Sequence, residues 1–91
     1  MVKFQYKILA VSEKNFAFFE CSNGDYGILE PLDFEVSVND VLCSLKFEIR
    51  PSCGRQIVVL NGRDQVKVFI DELGKKDVAY KLFKDKDMCQ H

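Results

Sequence analysis

Alternation with a period of two constrains this chain more than any other feature. Val2, Phe4, Tyr6, Ile8 and Ala10 are apolar, with Lys3, Gln5 and Lys7 between them. Successive side chains of a strand point to opposite faces, so the pattern predicts a strand with one buried side. The signal then repeats. After the turn "SEKN" comes "FAFFEC"; after "SNGD" comes "YGILE". Asn23-Gly24 suits the positive φ of a tight hairpin. Gly27, inside the third strand, marks a bulge or a sharp bend. Pro31 ends that strand, and "PLDFEVSVND" reads as a connection too short and too β-branched for a helix, with a turn at Asn39-Asp40. The most regular alternation follows: Val41, Cys43, Leu45, Phe47 and Ile49. "RPSCGR" is a loop, and "QIVVL" and "QVKVFI" are strands joined by a second Asn-Gly turn, "NGRD".

Several short strands with tight turns in about 70 residues leave exposed edges unless the sheet closes on itself. The expected fold is therefore mainly β: a small antiparallel barrel of five or six strands, OB-like or SH3-like, over residues 1–74. After Asp71 the period changes. Val78, Ala79, Leu82 and Phe83 recur at helical spacing, and Gly74 breaks the chain before them. This predicts a short amphipathic helix from about Lys75 to Lys86 and a frayed tail, within residues 75–91. Its apolar stripe is expected to cap an open end of the barrel while its lysines stay in water.

Composition sets limits on function. The chain is 47% apolar with a net charge of −1, a globular balance and not that of a disordered segment. A dedicated binder of phosphate backbones carries a clear basic excess. Here residues 1–74 hold 8 basic and 11 acidic side chains, and residues 75–91 hold 5 and 3, so basicity is confined to the tail. No stretch has the ~20 apolar residues of a membrane span, and the start lacks the continuous apolar core of a signal peptide. The expected location is cytoplasmic, without membrane association. Cys21, Cys43, Cys53 and Cys89 have no C-x-x-C spacing and the only His is His91. Free thiols are therefore expected, with no metal and no cofactor. A nucleophile paired with a base is likewise missing from the sequence, which argues against an enzyme.

The stretch "KNFAFF" resembles the nucleic-acid-binding signature of cold-shock domains, in which a basic residue and Gly precede alternating aromatics. Lys14 fills the basic position, Asn15 stands where the Gly belongs, and Phe16 and Phe18 fill the aromatic ones. The preceding strand, the "NGD" turn, "VLCSLKFEI" and "GRQIVVLNG" extend the similarity over roughly residues 5–62. The family's stacking Trp has no counterpart, since the chain has none. Its second aromatic motif aligns with Gly27 and Leu29, with Tyr26 beside them. The resemblance implies an OB-like barrel and stacking of single-stranded bases on Phe16, Phe18 and Tyr26 near Lys14.

Phe16 and Phe18 share one face of their strand, and Ala17 and Phe19 the other. If Phe19 and Cys21 fill the barrel, the pair is exposed; if the pair fills it, Glu20 is carried inward at a cost. Both placements are open from sequence. Exposed aromatics among mixed charges suit a protein interface. Arg50 and Arg55 flank Cys53 in "RPSCGR", where they would bind a carboxylate or phosphate or activate the thiol. The expected function is a non-catalytic protein-interaction module, an adaptor or inhibitor, whose partner is another protein or a second copy. The alternative is single-stranded RNA or DNA binding. The candidate binding residues are Lys14, Phe16, Phe18, Tyr26, Arg50 and Arg55.

Overall fold

The computed structural model describes residues 2–49, 51 and 53–88, with side chains as far as Lys86. Six strands, β1 (Gln5–Val11), β2 (Ala17–Cys21), β3 (Tyr26–Pro31), β4 (Val41–Ser44), β5 (Arg55–Asn61) and β6 (Asp64–Gly74), precede one helix, α1 (Lys76–Met88). The strands close into a barrel in the order β1-β2-β3-β6-β5-β4, every neighbouring pair antiparallel. This is the expected mainly β barrel with a short C-terminal helix, and it is compatible with an OB-like fold. The frayed tail expected beyond Met88 lies outside the described residues, as does Arg50.

Two meanders build the ring, β1-β2-β3 and β4-β5-β6. Each turn shows its local chemistry. Asn15 sits at φ 67°, the left-handed region that Gly adopts freely and Asn tolerates. The Ser12 hydroxyl accepts from the amides of Lys14 and Phe16 at 3.2 and 3.0 Å and pins that turn. In the next, Gly24 at φ 95° takes the positive-φ position alone, and Asn23 accepts from the Asp25 amide at 3.0 Å. In the last hairpin Asn61 is still paired with Asp64, so Gly62 and Arg63 form the turn, with Gly62 at φ 65°.

The connection between β3 and β4 joins strands on opposite sides of the ring, so it must cross one barrel end. It plugs that end with buried Val36 and half-buried Phe34. The interior is filled by Phe4, Tyr6, Ile8, Ala17, Phe19, Cys21, Leu29, Leu42, Val59, Val66, Val68 and Ile70. The even-numbered alternation of β1 holds only as far as Ile8. A bulge between Ile8 and Ala10 reverses the pleat, so Ala10 faces outward and Val11 faces the core.

Helix α1 does not cap the end of the barrel. It lies across the outer face of β2, β3 and β6. There Ala79 and Phe83 bury against Phe18 and Ile28, with Leu9, Ala10, Phe16, Tyr26 and Leu82 around them. Asp77 in its first turn and Lys86 in its last suit the helix dipole.

Candidate protein-binding surface

The aromatic strand has a placement the alternation alone did not offer. Ala17, Phe19 and Cys21 point into the barrel, so Phe16 and Phe18 point outward. Glu20 stays at the surface, where its carboxylate accepts from the Tyr26 hydroxyl at 2.8 Å. That bond favours the protonated phenol and raises the Tyr26 pKa. Phe18 is nevertheless only 3% exposed, because α1 covers it. Its ring stacks on Tyr26 at 5.9 Å and meets Tyr80 at 5.3 Å and Phe83 at 5.9 Å. Phe16 and Tyr26 are half-buried at the helix margin. The Lys86 ammonium stands 5.0 Å over the Phe16 ring and that of Lys76 5.5 Å over Tyr26. Lys14 is exposed on the β1–β2 turn. Three of the predicted residues, Phe16, Phe18 and Tyr26, thus come together as the seat of a helix. Arg55 is exposed at the start of β5 and is not part of that cluster.

A second apolar surface lies where regular alternation ends. The sequence predicts a strand from Val41 through Ile49; β4 stops at Ser44. Ser44 is buried, and its hydroxyl accepts from the Phe4 amide at 2.8 Å and donates to the Lys46 carbonyl at 3.2 Å. A side chain here occupies the place of a ladder carbonyl. The chain rejoins its neighbour only at Glu48, which pairs with Val2 through bonds of 3.0 and 2.8 Å. Since Gln5 pairs with Cys43, Phe4 stands opposite Ser44. Leu45, Lys46 and Phe47 therefore stand opposite Lys3 alone. With Leu42 and Ser44 turned inward, the alternate residues of this segment face outward: Phe47 is 61% exposed and Ile49 82%. Val2 is 54% exposed and Val58 37%. The Lys3 ammonium sits 5.2 Å over the Phe47 ring.

A groove of about 290 Å³ opens beside the bulge, lined by Ser44, Leu45, Lys46, Glu48, Ile57 and Val58. A second depression of about 310 Å³ runs over the outer side of β2, β1 and β4, between Glu20, Ser22, Gln5, Lys7 and Val41. None of these exposed apolar residues was among the predicted binding residues. The available signal was Phe47 and Ile49 in a stretch containing Ser44, a small polar residue at a position that the alternation assigns to the polar side. The barrel makes that side its interior. No protein-family profile, curated protein or solved structure matches this chain.

Proposed function

We propose that this chain is a non-catalytic protein-binding module acting in the cytoplasm, and that its partner docks on the surface presented by Phe47, Ile49 and Val58. The observation that carries this reading is the exposure of Phe47, Ile49 and Val58, the last of which lines the groove of β5. A small barrel has little apolar material to spare. Leaving a Phe and an Ile in water next to one another fits a surface covered in use. No helix among the described residues is long and apolar enough to cross a membrane, and a protein partner is the occupant that such a mixed apolar and charged surface fits best.

The test is affinity capture from cell extract with the wild-type chain and a Phe47→Asp/Ile49→Asp variant. A protein retained by the first and lost by the folded second is expected. Equal retention by both would remove the face from consideration.

Cold-shock-like binding of single-stranded nucleic acid is the second reading. It is supported by half-buried Phe16 and Tyr26, each with a lysine over its ring. Base stacking on Phe18 requires α1 to leave, which exposes an apolar seat and makes this the weaker reading. Anisotropy of labelled single-stranded DNA and RNA at low salt tests it; no binding is the expected result.

A further inference from the structure

The five residues from Leu45 to Ile49 read "LKFEI". About Phe47 this stretch is symmetric in hydropathy and opposite in charge. Leu45 answers Ile49, and Lys46 answers Glu48. A twofold axis passing through Phe47 sets that ring against its own copy. It sets Leu45 against Ile49 and Lys46 against Glu48, each twice over. A twofold interface is isologous, so the surface that forms it must be complementary to itself.

The fold brings this stretch to the surface. It follows β4 directly and is tied to the N-terminal segment by the Val2–Glu48 bridge. Among the described residues, Ile49 and Phe47 are the two most exposed large apolar side chains. The Lys3 ammonium lies over the Phe47 ring and still leaves most of it bare. Lys46 is exposed and Glu48 half-buried. Both border the groove together with Leu45 and Val58, so one cation and one anion stand beside the apolar centre, as in an interface with a polar rim. Helix α1 covers the outer face of β2, β3 and β6 and packs on neither β4 nor β5.

The mixed sign selects the occupant. A patch of one sign repels its own copy. A patch with one charge of each sign, placed evenly about its centre, attracts a copy turned by 180°. The net charge of the chain is only −1, so no strong overall repulsion opposes the approach of two copies. Size sets the strength. Three side chains, Phe47, Ile49 and Val58, form the apolar centre. A contact built on so few belongs to the weak class, below ~1,200 Å² of total buried surface.

We propose that the partner at this surface is a second copy of this chain, docked side chain to side chain about a twofold axis through Phe47, with Lys46 of each copy beside Glu48 of the other. This rests on the protein-binding reading above and specifies its partner.

The test is sedimentation equilibrium of the full chain, in reducing buffer so that exposed Cys53 links no copies. Between ~10 and ~500 μM, the range of a weak contact, the mass should rise from the 10.5 kDa of one chain toward twice that value. The Phe47→Asp/Ile49→Asp variant should stay at one chain throughout, with an unchanged circular dichroism spectrum. Lys46→Glu alone and Glu48→Lys alone each set like charges across the axis and should raise the dissociation constant at least ~10-fold. An equimolar mixture of those two variants should regain a dimer within ~3-fold of the wild-type strength, because each supplies the sign the other needs. Should Phe47→Asp/Ile49→Asp unfold, these two surface charge variants carry the test. A wild-type chain that stays monomeric at the highest concentration, a dimer that persists in folded Phe47→Asp/Ile49→Asp, or a mixture no tighter than either charge variant alone would each overturn the proposal. A monomeric wild type that still captures another protein, lost in Phe47→Asp/Ile49→Asp, would overturn self-association and leave the protein-binding reading standing. A monomer with equal capture by both chains would overturn the two together.

Discussion

Gly27 has no room for a side chain. A Cβ there would collide with the Glu72 carbonyl oxygen across the β3–β6 ladder and approach Cζ of Phe19 to 2.7 Å. The residue is an ordinary strand member, with no positive φ; what it permits is close approach. Gly27→Ala is expected to destabilise the fold by roughly 2 kcal/mol or more, as overpacking of a rigid site does, readable as a lower urea midpoint. Tyr6 presents the opposite problem, a buried polar atom in excess. Its hydroxyl has no hydrogen-bond partner among the described residues, while its ring meets Phe19 edge-on at 5.4 Å. Burial, and then the neighbouring Cys21 and Glu48, push its pKa far above the ordinary value of 10.0. A raised folded-state pKa means that the associated stability is fully present below pH ~10 and is lost as pH rises toward the folded value. Tyr6→Phe removes both the unpaired hydroxyl and the ionisation. It is expected to match or exceed wild-type stability at neutral pH, by up to ~1 kcal/mol, and to move alkaline unfolding to higher pH. Circular dichroism against pH checks both.

At the scale of elements, the turn before β2 and the seat of α1 decide what the aromatic strand does. Asn15 adopts the left-handed conformation that the cold-shock signature fills with Gly, so the departure at this position costs little. Asn15→Gly should be close to neutral, and Asn15→Ala should lose about 1 kcal/mol by thermal melting. Phe83 is the anchor of α1, 4% exposed against Phe18. Phe83→Ala is expected to cost about 3 kcal/mol and to raise binding of a hydrophobic dye, because Phe18 and Ile28 then lose their cover. Unchanged dye binding would show that α1 holds its place without that ring.

For the whole molecule, the question is whether barrel and helix are one folding unit. The radius of gyration is 12.1 Å, close to the ~12 Å of a compact domain of this length, so α1 is packed against the barrel and does not project from it. The outer cluster under the helix and the barrel interior share β1, β2 and β3, and loss of either cluster strips the same strands. Urea unfolding is expected to be a single transition, with far-UV helix signal and tyrosine fluorescence falling together. Two separated transitions would make α1 an independently detachable element, and that result would strengthen the nucleic-acid reading.

Local signals in the sequence determined much of the molecule. Period-two alternation and Gly-bearing turns placed the strands, Pro31 and Gly74 marked ends, and the change of period after Asp71 marked the helix. Each is a property of a few neighbouring residues, which is why a linear reading reaches it. Tertiary structure alone decided which faces are covered. Phe16 and Phe18 alternate as a pair on one face; closure of the barrel turns that face outward, and only the docking of α1, some sixty residues later in the chain, buries Phe18. Val41 to Ile49 alternate as one long strand, and only the capture of Phe4 by Ser44, a contact across 40 positions, ends β4 early. Barrel closure also chooses Leu42 and Ser44 as the inner side, which leaves Phe47 and Ile49 facing outward. Alternation states which side chains share a face. Whether that face meets core, helix, partner or water depends on segments remote in the chain, and no local pattern encodes them.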